Sequence, residues 1–132
     1  MTRYLLDTTA VIALLNDIES PLARRAREHH PSDIAISSIV AHELFYGAFK
    51  SQRATQNVAL VDALRLEVLD FDREDARRAG EIRARLALSG RPIGPYDVLI
   101  AGQAMARQLT LVTHNASEFG RIAGLTVEDW HG

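Results

Sequence analysis

Asp7, Glu43 and Asp97 lie far apart in this chain, and each follows a short apolar run or opens a helix-like one. A fourth polar group, Thr113-His114-Asn115 with Glu118 just beyond, comes near the C-terminus. Acids delivered from the ends of several strands to one edge of an α/β sheet form a pocket for hard divalent cations. Gathering them is costly: at an effective dielectric of about 20, two unit charges ~4 Å apart repel by roughly 4 kcal/mol. Such a cluster needs raised pKa values or a bound cation. Oxygen ligands without cysteine favour Mg²⁺ or Mn²⁺ over Zn²⁺. Mg²⁺ keeps several waters, so three acids and an amide suffice for one or two ions. Taken singly, the residues have plainer roles. Asp7 reads as a helix cap, Glu43 as a helix acid drawn inward by apolar neighbours, Asp97 as a complement to a helix dipole, and Asn115 as an N-cap. Their shared placement carries the signal.

The elements that must position them follow from the apolar pattern. Tyr4-Leu5-Leu6 reads as a buried strand ending at Asp7, and Thr8 and Thr9 as caps for the apolar helix Ala10 to Leu15. A helix from Ser20 to His30, with Pro21 in its first turn, leads to a second strand, Ile34-Ala35-Ile36. Ser37 or Ser38 starts a helix through Val40, Leu44, Phe45 and Ala48 that carries Glu43. Ser51 to Leu66 shows helical spacing, and Glu67 to Phe71 reads as a third strand. Arg73 to Ser89 is amphipathic, with Ala76, Ala79, Ile82 and Leu86 on one face. A turn-rich loop through Gly94-Pro95 precedes a helix from Tyr96 to Gln108 carrying Asp97. A fourth strand, Thr110 to Thr113, is followed by a helical turn at Ser117-Glu118-Phe119 and a short strand at Leu125-Thr126-Val127. Strands alternating with helices imply an α/β fold, three-layered α/β/α, with a mostly parallel sheet of four to five strands. Without repeat, linker or low-complexity tract, residues 1–132 read as a single domain.

Composition narrows the class. Cysteine is absent, which excludes disulfides, thiolate nucleophiles and Cys-ligated zinc. No long uncharged apolar stretch suggests a signal peptide or a membrane span, so a cytoplasmic location is the expectation. The net charge of −2 makes no general case for a polyanion partner, but 14 of the 15 basic residues are arginine and Lys50 is the only lysine. Arg24, Arg25 and Arg27 form one cluster; Arg73, Arg77, Arg78, Arg83, Arg85 and Arg91 form another. Arginine suits phosphate recognition, and it is equally an ordinary solvated helix-surface residue.

Leu5-Leu6-Asp7-Thr8-Thr9, Ile36 through Gly47, Pro92 through Ala101 and Val112-Thr113-His114-Asn115 through Phe119 together resemble PIN-domain ribonucleases, above all the VapC toxins of VapBC toxin–antitoxin pairs. The resemblance runs nearly end to end, through Gly124-Leu125 to Glu128-Asp129-Trp130. It implies that Asp7, Glu43 and Asp97 form an acidic metal core for Mg²⁺ or Mn²⁺, joined by Asn115 as a catalytic-site residue. Many relatives have Asp at position 115, so the amide here puts a tightly held second ion in doubt. Thr9 stands where Asn or Ser is frequent and can orient Asp7, while Thr113 is a supporting hydroxyl. Glu118 can help at the rim of the site, although a surface acid of the last helical turn is the plainer reading. The implied activity is metal-assisted hydrolysis of RNA, in a tRNA anticodon loop, with Arg83 and Arg91 positioning the strand and translation inhibited as the result. The implied partner is a VapB-like antitoxin that points a basic side chain at the acids, in a hetero-oligomer with a homodimeric toxin. Leu44, Phe45, Tyr46 and Phe49 are candidates for its groove or for the dimer face, although core burial is the plainer expectation.

Other readings fail on named residues or remain as rivals. A haloacid-dehalogenase-type phosphatase needs a second acid at position 9, which is threonine. A response-regulator receiver needs an acidic pair and a late lysine. The non-enzymatic rival is a FitB-like or catalytically silent PIN module that binds nucleic acid within a regulatory complex.

Overall fold

Successive side chains of a strand point to opposite faces, so a strand buried at every position must be covered on both sides. β1 (Tyr4–Leu6) and β2 (Ile34–Ser37) are buried throughout in the computed structural model, which describes residues Met1–Gly132. With β3 (Glu67–Leu69), β4 (Thr110–Val112) and β5 (Val127–Glu128) they form one sheet of order β3-β2-β1-β4-β5. Every neighbouring pair is parallel. Leu5 pairs with Ala35 on one side and Leu111 on the other, so β1 occupies the centre. Helices α1 (Thr8–Asn16), α2 (Pro21–Arg27), α3 (Ser38–Lys50), α4 (Ala54–Asp62), α5 (Arg73–Leu88), α6 (Pro95–Ala106) and α7 (Ala116–Phe119) supply the covering layers. The α/β architecture with a parallel sheet agrees with the sequence reading. No helix is long and apolar enough to cross a membrane.

Several boundaries moved for identifiable reasons. The cap of α1 is Asp7 itself, whose Oδ1 accepts from the Ala10 N–H, rather than Thr8 or Thr9. Arg27 ends α2, because His30 Nδ1 accepts from Ser32 N–H and starts a 3₁₀ turn at Pro31–Asp33. Ser51 is no part of α4: its hydroxyl donates to the Ala48 carbonyl at the end of α3 and accepts from Asn57 Nδ2. Phe71 leaves β3 because its N–H donates to Ser38 Oγ. β5 begins at Val127 rather than Leu125, where pairing with Leu111 and Val112 becomes possible.

The helix that carries Asp97 is braced against its neighbour. A Cβ at Gly102 of α6 would stand 2.5 Å from Ala79 Cβ and 2.7 Å from Ala79 N of α5, so only glycine permits this approach. Asp75, 1% exposed, completes a reciprocal capping box with Asp72 at the start of α5. It also accepts from Gln103 Nε2 at 3.1 Å and Arg107 Nη2 at 3.0 Å. Arg107, its pKa raised by that hydrogen bond to Asp75, is thus committed to holding the two helices together.

Candidate metal centre

In open parallel sheets a crevice forms at the carboxyl ends of the strands where the strand order reverses direction. Here the chain moves from β1 outward through β2 to β3, then returns to the other side of β1 as β4. Asp7 follows β1 and the Thr113-Asn115 turn follows β4, so both stand at that switch point. The Asp7 N–H donates to the Val112 carbonyl at 3.1 Å, tying the two strand ends together.

Each acid is held by local structure. Asp7 is 4% exposed; its Oδ1 accepts from Ala10 N–H at 2.9 Å and from Thr9 Oγ1 at 3.0 Å. Thr8, on the same first turn of α1, donates its hydroxyl to Glu43 Oε1 on α3 at 2.8 Å. Asp97 sits in the first turn of α6, behind Pro95. Glu118 Oε1 accepts from Gly94 N–H at 2.9 Å, and Asn115 Nδ2 donates to Glu118 Oε2. Asn115 stands at the N-cap position of α7 without a side-chain cap bond. Thr113, fully buried, accepts from Asn115 N–H at 2.9 Å and so shapes the turn.

Electrostatics link the group. The Asp97 carboxyl is pushed up to about 6, first by burial, then by the charges of Glu118, Asp7 and Glu43. Glu118 is therefore no detached surface acid: it shares the field of the other three and is wired to both Gly94 and Asn115. The i,i+3 spacing of Asn115 and Glu118 on a helical turn was the signal for it. Thr8 was missed, because a hydroxyl at a helix start reads as a cap rather than a support for a distant acid.

The donor set fits a hard divalent ion: carboxylate oxygens without a nitrogen or sulfur ligand, in mutual repulsion that a cation relieves. No three of the acids close on a point. Only His114, Asp129 and His131 bring three metal-ligating atoms within 4.8 Å of one another. Mg²⁺ binds through few carboxylates and keeps its waters, so wider spacing suits a hydrated ion.

Two arginines singled out in the sequence are exposed, Arg83 on α5 and Arg91 in the following loop. Neither pairs with an acid, unlike Arg78 and Arg85, which both reach Glu81. Arg83 borders a hollow whose other wall includes Pro92, Ile93 and Pro95, the segment that leads in sequence to Asp97.

Residues 4–125 match the PIN-domain family model. The chain belongs to the PIN-domain family. This PIN domain is 44% identical over 132 residues to the tRNA(fMet)-specific endonuclease VapC of Salmonella typhimurium, across 98% of this chain and 99% of the relative. It is 42% identical to the protein of the same name from Shigella flexneri, with the same coverage. The crystal structure of DNA-bound VapBC from Salmonella typhimurium contains a chain that superposes with a TM-score of 0.93 at 44% identity, covering 98% of this chain and 99% of that one.

An apolar groove on the PIN domain, about 250 Å³, runs between α1, α3 and α4 and is lined by Ile12, Leu15, Leu44, Leu60 and Val61, with Glu43 in its wall. Of the four residues weighed for a groove or dimer face, Leu44 is buried and Phe45 half-buried. Tyr46 and Phe49 are 60% and 66% exposed, which overturns the core expectation for both. They lie on α3 outside the groove lining, on the solvent side of that helix.

Proposed function

We propose that this chain, residues 1–132 acting as one unit, is a Mg²⁺- or Mn²⁺-dependent endoribonuclease of the VapC kind. Its substrate is tRNA, cut in the anticodon loop, and its partner is a VapB-like antitoxin. The observation that carries the reading is the convergence of Asp7, Glu43, Asp97 and Glu118, whose charges add to burial in raising the Asp97 carboxyl to about 6. A silent module has no use for carboxylates held in mutual repulsion. The printed name of the Salmonella and Shigella relatives, tRNA(fMet)-specific endonuclease, supports tRNA as the substrate class and tRNA(fMet) within it.

Asp7, Glu43 and Asp97 would hold the ion, with Glu118 and Asn115 at its edge. Bound there, a divalent cation supplies a Lewis acid for the phosphate and lowers the pKa of the attacking water. Hydrogen bonds engage Oδ1 of Asp7 and Oε1 of Glu43, and the second oxygen of each carboxylate is left for the cation. Attack of water on phosphorus with departure of the 3′ oxygen leaves 3′-hydroxyl and 5′-phosphate ends. Arg83 and Arg91, exposed and unpaired, position the RNA backbone. A loop suits the open site, since its bases are splayed and its backbone accessible.

The groove supports the partner. Its apolar lining accepts an amphipathic segment, and Glu43 at its wall lets a basic side chain of that segment reach the acids. Tyr46 and Phe49 offer a separate apolar face to a second copy of the chain. The test uses purified protein and a tRNA mixture. Cleavage requires Mg²⁺ or Mn²⁺, stops with EDTA and disappears in Asp7→Asn; cleavage that survives the chelator refutes the metal mechanism. Induced expression without the antitoxin arrests growth, and a harmless wild-type protein would favour the silent module.

A further inference from the structure

A second cluster of ligating side chains lies beside the acidic centre, where the turn after β4 meets the C-terminal tail. Parallel pairing sets Val112 against Glu128, and Thr113 N–H donates to the Glu128 carbonyl at 3.0 Å. One residue further along each strand, His114 stands next to Asp129. His114 Nδ1 lies 3.2 Å from Asp129 Oδ2, and His131 Nδ1 lies 3.0 Å from Asp129 Oδ1. The two imidazole centroids are 4.6 Å apart.

The tail holding two of these groups is anchored, whereas chain ends ordinarily fray. Trp130 is 3% exposed, edge-on to Tyr4 at 5.0 Å and stacked on His29 at 5.2 Å. Its indole N–H donates to Glu128 Oε1 at 3.0 Å. The His131 N–H donates to Asp129 Oδ1 at 2.8 Å, fixing the carboxylate against the backbone.

We propose that His114, Asp129 and His131 bind a transition-metal ion of the Zn²⁺ class, at a site separate from the acidic centre. Two imidazoles and one carboxylate suit Zn²⁺ and its neighbours, while Mg²⁺ prefers an all-oxygen set, so the two kinds of ion sort between the two centres. Tetrahedral bonds of about 2.0–2.1 Å place neighbouring ligand atoms roughly 3.3 Å apart. The two nitrogen–oxygen separations of 3.0 and 3.2 Å already approach that edge. The His114 and Asp129 side chains are 69% and 39% exposed, which leaves an entry path and room for a water as fourth ligand. Occupancy would clasp the turn bearing Asn115 to the tail and stiffen one wall of the acidic centre. A proton shared between the rings and the carboxylate is the rival arrangement, and it needs no metal.

The test titrates untagged full-length protein with Co²⁺, then Zn²⁺, in excess Mg²⁺. One equivalent of Co²⁺ develops the visible absorption of a low-coordinate ion and Zn²⁺ abolishes it. His114→Ala and His131→Ala each lose the signal while far-ultraviolet circular dichroism stays unchanged; Asp7→Asn keeps it. Zn²⁺ raises the thermal midpoint of the wild type and not of the double histidine variant. Absorption that never develops leaves the proton-bridged clamp and overturns the proposal. So does absorption that persists in the double variant or vanishes in Asp7→Asn.

Discussion

Asp97 is the residue whose state depends most on its neighbours. Burial and the charges of Glu118, Asp7 and Glu43 lift it from 3.8 to about 6. The folded protein thus holds this proton more tightly than the unfolded chain. Its contribution to stability is complete below about pH 4 and is lost as pH rises through about 6. Solvent screening at this half-buried carboxyl reduces the effect to on the order of 1 kcal/mol. In EDTA, urea denaturation across that range shows the wild type losing stability while Asp97→Asn stays level and is the more stable protein above pH 7. A variant no more stable than the wild type there would contradict the assigned field. Asp72 and Asp129, held below the usual carboxylate range by hydrogen bonds from the Asp75 and His131 backbones respectively, lose their contributions only below about pH 4, outside this window. The placement of Asp7 and Asp97 was legible in sequence because an acid directly after a strand, or in a helix first turn, is placed by its element; that of Glu43, one turn inside α3, followed from the helix start at Ser37-Ser38. Thr8 was less legible, because it acts on Glu43, distant in sequence, and no local pattern encodes that meeting; Glu118 was in view beside Asn115, but its bond to Gly94 was not.

At the scale of elements, short apolar runs located β1, β2 and β4 because burial on both faces leaves a continuous hydrophobic signature. β3 and β5 were less legible. Glu67 and Val68 are exposed, and β5 is defined by its pairing with β4 rather than by apolar content. The contact of α5 with α6 was also hidden, since a glycine inside a helix gives no sign of what approaches it. Gly102→Ala drives a methyl into the Ala79 backbone and should cost about 1–3 kcal/mol. Urea denaturation measures that loss directly. Because α6 carries Asp97, the variant should also weaken Mg²⁺ binding; wild-type stability would mean that the helices part without cost.

At the scale of the molecule, Glu43 lines the groove and also faces the acidic centre, so on the proposed function a partner seated in the groove would control the acids. Leu60, 57% exposed in the groove, contributes to neither the acids nor the core. Leu60→Asp should leave tRNA cleavage by the free protein intact and raise the antitoxin needed for inhibition more than about tenfold. Titrating antitoxin into the cleavage assay separates the two effects, and unchanged inhibition would place the partner elsewhere. The central position of β1 has a further consequence for the living cell. Asp7 is made well before β4, without which its strand lacks one flank, and Glu118 comes later still. No chain that stops short of Glu118 holds all four acids. On the proposed function, a nuclease that attacks translation stays inert until β4 and the turn after it have been made, and an antitoxin already present can meet it as the pocket closes.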